Sequence, residues 1–120
     1  MRSLHRPLIA VLASAAFIAP TVAFASSASA IGCPAATLCV EGNGARGEFS
    51  KGVYDLGGFG SGRLNDHIAQ VNNNTDDTWC LYEHAGYKGD AHVVTSGFNG
   101  GLGDFGSKVS SMRPRPLFGC

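Results

Sequence analysis

The residues of this chain best placed to do chemistry are its four cysteines, Cys33, Cys39, Cys80 and Cys120. Sulfur at such positions either ties the chain to itself or holds a metal. The spacing contains no C-x-x-C and no matching histidine pair, which argues against zinc. An even number of cysteines in an exported chain makes two disulfides the default. Four cysteines allow three pairings, and the sequence alone does not choose among them. Cys33–Cys39 with Cys80–Cys120 is favoured, because the first would pin the N-terminal segment and the second would tie down the C-terminal tail. On the chain-entropy account the long loop is worth about 4 kcal/mol and the short one about 2 kcal/mol.

Catalytic chemistry is harder to find. His67, His84 and His92 are scattered, and neither a Gly-x-Ser-x-Gly elbow nor a His-Glu-x-x-His helix is present. The glycine-rich stretches lack the Lys-Ser/Thr and the following helix of a phosphate loop. Glu83-His84 sits where a hairpin would expose it to solvent. Asn73-Asn74-Thr75 forms only a short glycosylation-type pattern and is discounted. The chain reads as a non-enzyme with no catalytic residues.

The elements that must position these residues begin with a leader. Arg2, His5 and Arg6 form a basic head, Leu8 to Phe24 is almost wholly apolar, and a small-residue stretch ends Ala28-Ser29-Ala30. This order is that of a secretory signal peptide over residues 1–30, cleaved after Ala30. A membrane anchor is disfavoured, because Pro20 interrupts a run already short for a bilayer of about 30 Å. A rival reading remains open, since Ala30-Ile31-Gly32-Cys33 loosely resembles a bacterial lipoprotein box that would lipidate Cys33. The favoured expectation is a secreted, extracellular protein with no membrane contact after cleavage.

Residues 31–120 then carry seven Lys/Arg against nine Asp/Glu, a net charge of −2 with the histidines neutral. No basic face for nucleic acid follows from that balance. All 17 glycines lie in this part. A segment of this length supports one domain with a modest core, which is why the disulfide bracing matters.

Short apolar or alternating runs, bounded by glycine and asparagine, predict antiparallel strands at Thr37–Val40, Gly52–Leu56, Thr78–Tyr82 and Ala91–Thr95. No stretch has a 3.6-residue apolar period, so helix content should be low. Gly57–Gly62 and Gly97–Gly101 read as turns or loops. Gly47 and Gly89 lie 42 residues apart, while Ile68 and Val109, like Val71 and Met112, lie 41 apart. Two β units of this size, each too small for its own core, should pack face to face as two Greek keys. The tail from Arg113 to Cys120 is basic and holds two prolines, so it should be irregular and tied back by Cys120.

Within the second unit, Tyr82-Glu-His-Ala-Gly-Tyr87-Lys-Gly89 resembles the aromatic hairpin of βγ-crystallin Greek keys, and Lys108-Val-Ser-Ser111 resembles that family's closing strand. Tyr82 would cover the hairpin while Gly89 takes a positive φ. In the first unit Val40 and Ala45 stand where the aromatics would be, before Gly47. Cys80-Leu-Tyr-Glu83 with Gly86-Tyr-Lys-Gly89, and Cys33-Pro34 with Cys39 upstream, resemble the bacterial secreted peptidase inhibitor family I36, which includes an inhibitor of metalloproteinases. The resemblance implies an all-β, βγ-crystallin-like sandwich, with Greek keys over about residues 36–72 and 77–114 and a tail at 115–120. It also implies a monomer that presents a rigid, substrate-like loop to a secreted protease, with metalloproteases as candidate targets.

By the same resemblance, the protease-contact loop would be Asn74, Thr75, Asp76, Asp77, Thr78, Trp79, Cys80 and Leu81. This segment holds no second cysteine, and its only bulky apolar residues are Trp79 and Leu81, both strand-like. A polar turn is the plain reading of Asn72–Asp77. The alternative implied is a structural or weakly calcium-binding domain. The two-part cation signature of microbial βγ-crystallins is half kept in each unit: Asn65-Asp66 lacks its hydroxyls because Ala69 and Gln70 follow, and Ser110-Ser111 lacks its acidic head. Asn65, Asp66, Ser110 and Ser111 could form one weak Ca²⁺ site, a hard cation suiting oxygen ligands; no other cofactor is expected.

Overall fold

The computed structural model describes residues 30–120. The leader read over residues 1–30 therefore lies outside the described residues, Ala30 excepted. Seven strands follow: β1 (Thr37–Gly42), β2 (Ala45–Phe49), β3 (Gln70–Asn74), β4 (Trp79–His84), β5 (Lys88–Val94), β6 (Asn99–Gly101) and β7 (Ser111–Pro114). They form two antiparallel sheets, ordered β2-β1-β3-β6 and β5-β4-β7. Two short 3-10 turns, Leu56–Gly58 and Gly103–Ser107, are the helical elements among the described residues, and none is long and apolar enough to cross a membrane.

Strand alternation builds the core. Leu38 and Val40 of β1 and Val71 of β3 cluster with Trp79 and Leu81 of β4 and with Met112 of β7, all nearly inaccessible. Each such burial contributes roughly 1.5–3 kcal/mol. The alternate positions of β1 and β4 are also shielded: Cys39 and Cys80 are fully buried, and each carries a disulfide. Cys33 bonds Cys39 and Cys80 bonds Cys120, with Cα separations of 5.8 and 5.7 Å. In this structure Cys33 has no free thiol for a lipid.

The two units do not keep their strands to themselves. Edge strand β6 belongs to the second unit but pairs with β3 of the first, Val71 opposite Gly100. In return Val53 of the first unit bridges Met112 in the other sheet, with backbone hydrogen bonds of 2.7 and 3.1 Å. The strand expected over Gly52–Leu56 shrinks to this single bridge. Asp55 ends it by accepting a hydrogen bond from the Gly57 N–H at 2.9 Å, which caps the Leu56–Gly58 turn. Conversely, the Gly97–Gly101 stretch, expected as a loop, contributes β6 from Asn99 onward. Arg113 and Pro114, expected to be irregular, close β7 opposite Cys80 and Trp79.

The hairpins explain why only the second unit shows the aromatic pattern. β1 and β2 are joined by a two-residue Asn43-Gly44 turn with φ of 50° and 70°, a geometry matched to strand twist. The β4–β5 connection is longer and bulged, and it folds back over its own sheet. Tyr82 is buried under it, 5.8 Å from the Tyr87 ring, and Arg113 lies over Tyr87 at 4.4 Å. Ser111 locks the fold-back: its Oγ donates to the His84 carbonyl at 2.6 Å and accepts from the Tyr87 N–H at 3.0 Å. Gly89 has φ +81° and lies close under the His84 ring, 2.7 Å from where a Cβ would stand, whereas Gly47 is needed for space alone, since a Cβ there would lie 2.5 Å from the Phe49 ring.

Candidate functional site

The segment between β3 and β4 is more ordered than its composition suggests. Asn72–Asn74, read as part of a polar turn, form the end of β3, and only Thr75, Asp76 and Asp77 bend before Thr78 leads into β4. Strand alternation sends Asn73 inward, where it is fully buried, and Asn72 and Asn74 to the opposite face. Asn73 Nδ2 donates to the carbonyls of Asp77 and Val94 at 2.8 and 3.0 Å, and its Oδ1 accepts from the Thr75 N–H and hydroxyl at 3.2 and 2.6 Å. One amide thus holds both ends of the bend. The Thr75 hydroxyl adds a second tie by accepting from the Trp79 indole N–H at 3.1 Å and the Asp77 N–H at 3.2 Å.

The residues assigned to the contact loop divide sharply in exposure. Asn74, Asp76 and Asp77 are exposed, and Thr75 and Thr78 half-buried. Trp79, Cys80 and Leu81 are buried in β4, at 1, 0 and 0 % exposure, so a partner cannot reach them. This corrects the loop's expected extent: the accessible part is 74–78, and it carries no bulky apolar side chain.

Two neighbouring segments are stitched to this bend. Asn72 and Asn74 donate to the carbonyls of Ile31 (2.7 Å), Cys33 (2.9 Å) and Pro34 (3.0 Å), and Asn99 to that of Ile31 at 3.1 Å. These asparagines lay the N-terminal segment on the outer face of the four-stranded sheet. On the other side, the Arg115 N–H donates to the Thr78 carbonyl at 2.7 Å. Beyond it the Gly119 N–H donates to the Pro116 carbonyl at 3.0 Å, closing a turn before Cys120. Leu117 and Phe118 at its tip are 92 and 98 % exposed. Sequence reasoning noted the tail's charge and missed this apolar pair, although proline before it and glycine after it are turn signals.

The four residues assigned to a cation site separate into two pairs. Asp66 and Ser110 meet across the two units, Ser110 Oγ donating to Asp66 Oδ1 at 3.1 Å. They line an open polar cleft with Glu83, His84, Ser107 and Lys108. Asn65 and Ser111 do not line it: the Asn65 side chain donates sideways to Asp66 Oδ2 at 3.4 Å, and Ser111 serves the hairpin fold-back. At the related cleft of the first unit, Ala69 stands without a hydroxyl and Glu41 is taken by Arg46 at 2.6 Å. That hydrogen bond raises the already basic Arg46 guanidinium further. No group of three or more His, Cys, Asp or Glu gathers as a metal site among the described residues.

Two sheets that exchange a strand between Greek-key halves, one half closed by a tyrosine fold-back, define a βγ-crystallin-type domain. Solved structures agree. A βγ-crystallin from Ciona intestinalis aligns with a TM-score of 0.54 at 21 % identity, over 66 % of this chain and 99 % of that one. The N-terminal domain of protein S aligns with a TM-score of 0.54 at 23 % identity, over 68 % and 97 %. A βγ-crystallin domain from Flavobacterium johnsoniae aligns with a TM-score of 0.52 at 28 % identity, over 63 % and 90 %. No curated protein matches the chain. The model of peptidase inhibitor family I36 matches residues 26–94, and the chain belongs to that family. Family membership and two disulfides agree with an extracellular, non-enzymatic protein that has a protease as its partner.

Proposed function

We propose that this protein is a secreted, monomeric inhibitor of metalloproteases that acts by offering a rigid loop, residues 74–78, to the enzyme. The observation that carries this reading is the bend held from within by the buried Asn73 amide, in a chain of an inhibitor family. A loop fixed before docking loses little conformational freedom on binding, a saving of about 0.5–1.5 kcal/mol for each side chain already ordered. The β3 and β4 strands on either side, the Arg115–Thr78 hydrogen bond and the Cys80–Cys120 link resist the distortion that hydrolysis would require. The test is inhibition of a thermolysin-like metalloprotease by the oxidised protein, with subtilisin as comparison. Nanomolar inhibition of the metalloprotease alone is expected; no inhibition of it at micromolar concentration would sink the proposal.

A second reading, weak calcium binding, is favoured by one contact, the hydrogen bond that joins Asp66 to Ser110. Carboxylate and hydroxyl oxygens from both units at one cleft, with Glu83 beside them, fit a single hard cation. Asp66, Ser110 and Glu83 would hold it, and it would supply a cross-link between the two units. Lys108 at the same cleft opposes it and keeps the affinity low. The first unit's cleft does not fit, because Arg46 already neutralises Glu41. Millimolar calcium should raise the melting temperature of the wild type and leave that of Asp66→Asn unchanged; equal curves for wild type with and without calcium would reject this reading.

A further inference from the structure

We propose that the C-terminal turn Pro116–Gly119 is the apolar anchor of the protease contact, with Leu117 and Phe118 filling an apolar specificity pocket of the enzyme. The inference rests on the inhibitor reading above and assigns it a surface outside residues 26–94, where the family match ends.

Leu117 and Phe118 are adjacent, 92 and 98 % exposed, and among the largest apolar side chains of the domain left in water. Such a pair on a free tail would mean little. Here the backbone beneath them is fixed at both ends. Upstream, Pro114 belongs to β7 and the Arg115 N–H is bonded to the Thr78 carbonyl at 2.7 Å. Downstream, Gly119 closes the turn onto Pro116 at 3.0 Å with φ +94°, and Cys120 is bonded to Cys80 inside β4. Pro116 locks its own φ and restricts Arg115 before it. Exposed aromatic and aliphatic side chains on a backbone already fixed are what a partner pocket can take up without also ordering the chain beneath them.

The occupant follows from what the neighbouring loop lacks. Residues 74–78 offer only polar side chains, and Trp79 and Leu81 are buried behind them. A protease with an apolar specificity pocket would find no side chain in this loop to fill it, whereas Leu117 and Phe118 are an exposed apolar pair joined to the loop through Arg115. The Arg115–Thr78 hydrogen bond makes the tail continuous with the loop, so one enzyme surface can touch both. The polar loop would set position, and the Leu117–Phe118 tip would supply the desolvated centre of the contact.

The experiment compares the oxidised wild-type protein with Leu117→Ala/Phe118→Ala, and with Phe59→Ala as an exposed-aromatic control in the first unit, against the thermolysin-like protease. The double variant should keep the wild-type melting temperature, because neither side chain is buried. Its inhibition constant should weaken about 100-fold, and that of Phe59→Ala by less than about twofold. Wild type and double variant inhibiting equally would overturn the anchor while leaving the inhibitor reading intact. A wild type that inhibits nothing would remove both. Sedimentation at the same concentrations adds a third arm: a wild-type dimer that the double substitution dissociates would assign the turn to self-association and overturn the anchor.

Discussion

At Asn73 one side-chain amide decides the shape of a whole loop. Its position in β3 sends it inward by simple alternation, and an inward asparagine must find partners for its donors and its acceptor. It finds them in the carbonyls of Asp77 and Val94 and in Thr75. Asn73→Ala should cost about 3 kcal/mol in urea unfolding, because the substitution strands buried carbonyls and the Thr75 amide. Asn74→Ala, at an exposed position, should cost less than about 1 kcal/mol. The loop released in Asn73→Ala should also inhibit less well than its loss of stability explains. The two glycines expected to be equivalent differ at this scale. Gly47→Ala should destabilise by about 1–3 kcal/mol through overpacking against Phe49 and Leu64, and Gly89→Ala by at least about 1–2 kcal/mol through its positive φ, with a further cost from crowding the His84 ring. Pairing Gly47→Ala with a smaller residue at Phe49 should recover stability, whereas Gly89→Ala should keep its φ strain even with a smaller residue at His84.

The elements divide into those that carry the core and those that present a surface. β1, β3, β4 and β7 bury the apolar cluster, while the 74–78 bend and the tail turn are held at their ends and open in the middle. The Cys80–Cys120 bond joins the two classes by tying the tail to a core strand across a separation of 40 residues. Replacing both cysteines (Cys80→Ala/Cys120→Ala) should lower stability by about 4 kcal/mol, against about 2 kcal/mol for Cys33→Ala/Cys39→Ala. Denaturant unfolding of both double variants tests the ranking. Inhibition at a temperature where all remain folded should fall only in the first, since only that bond fixes the Leu117–Phe118 turn. Equal losses in both would mean that the disulfides act through overall stability alone.

In the molecule as a whole, the exchange of third strands makes the two units interdependent. The first sheet lacks its β6 edge without residues 99–101, and the second lacks the Val53 bridge without the first unit. The apolar cluster likewise draws on both. A fragment of residues 30–77 should therefore show no cooperative thermal transition by circular dichroism, and mixing it with residues 78–120 should restore one. A cooperative transition in the isolated fragment would contradict this account.

Several features were legible in the sequence because they depend on local chemistry. Alternating apolar runs at Thr37–Val40 and Thr78–Tyr82 specify strands, and Tyr82 with Tyr87 and Gly89 marks the fold-back of the second unit. Family membership was legible in the same residues, since motif spacing is a property of the chain itself. The rest depended on what lies beside each residue in space. Gly52–Leu56 has strand composition but little strand partner, because Asp55 caps a turn there. Asn99–Gly101 has the composition of a turn and pairs as a strand instead, because β3 offers it an open edge. Nothing local distinguishes buried Asn73 from exposed Asn74, or a fully exposed Leu117 from a buried Leu81. Exposure is set by the packing of distant segments, and only the tertiary structure decided it.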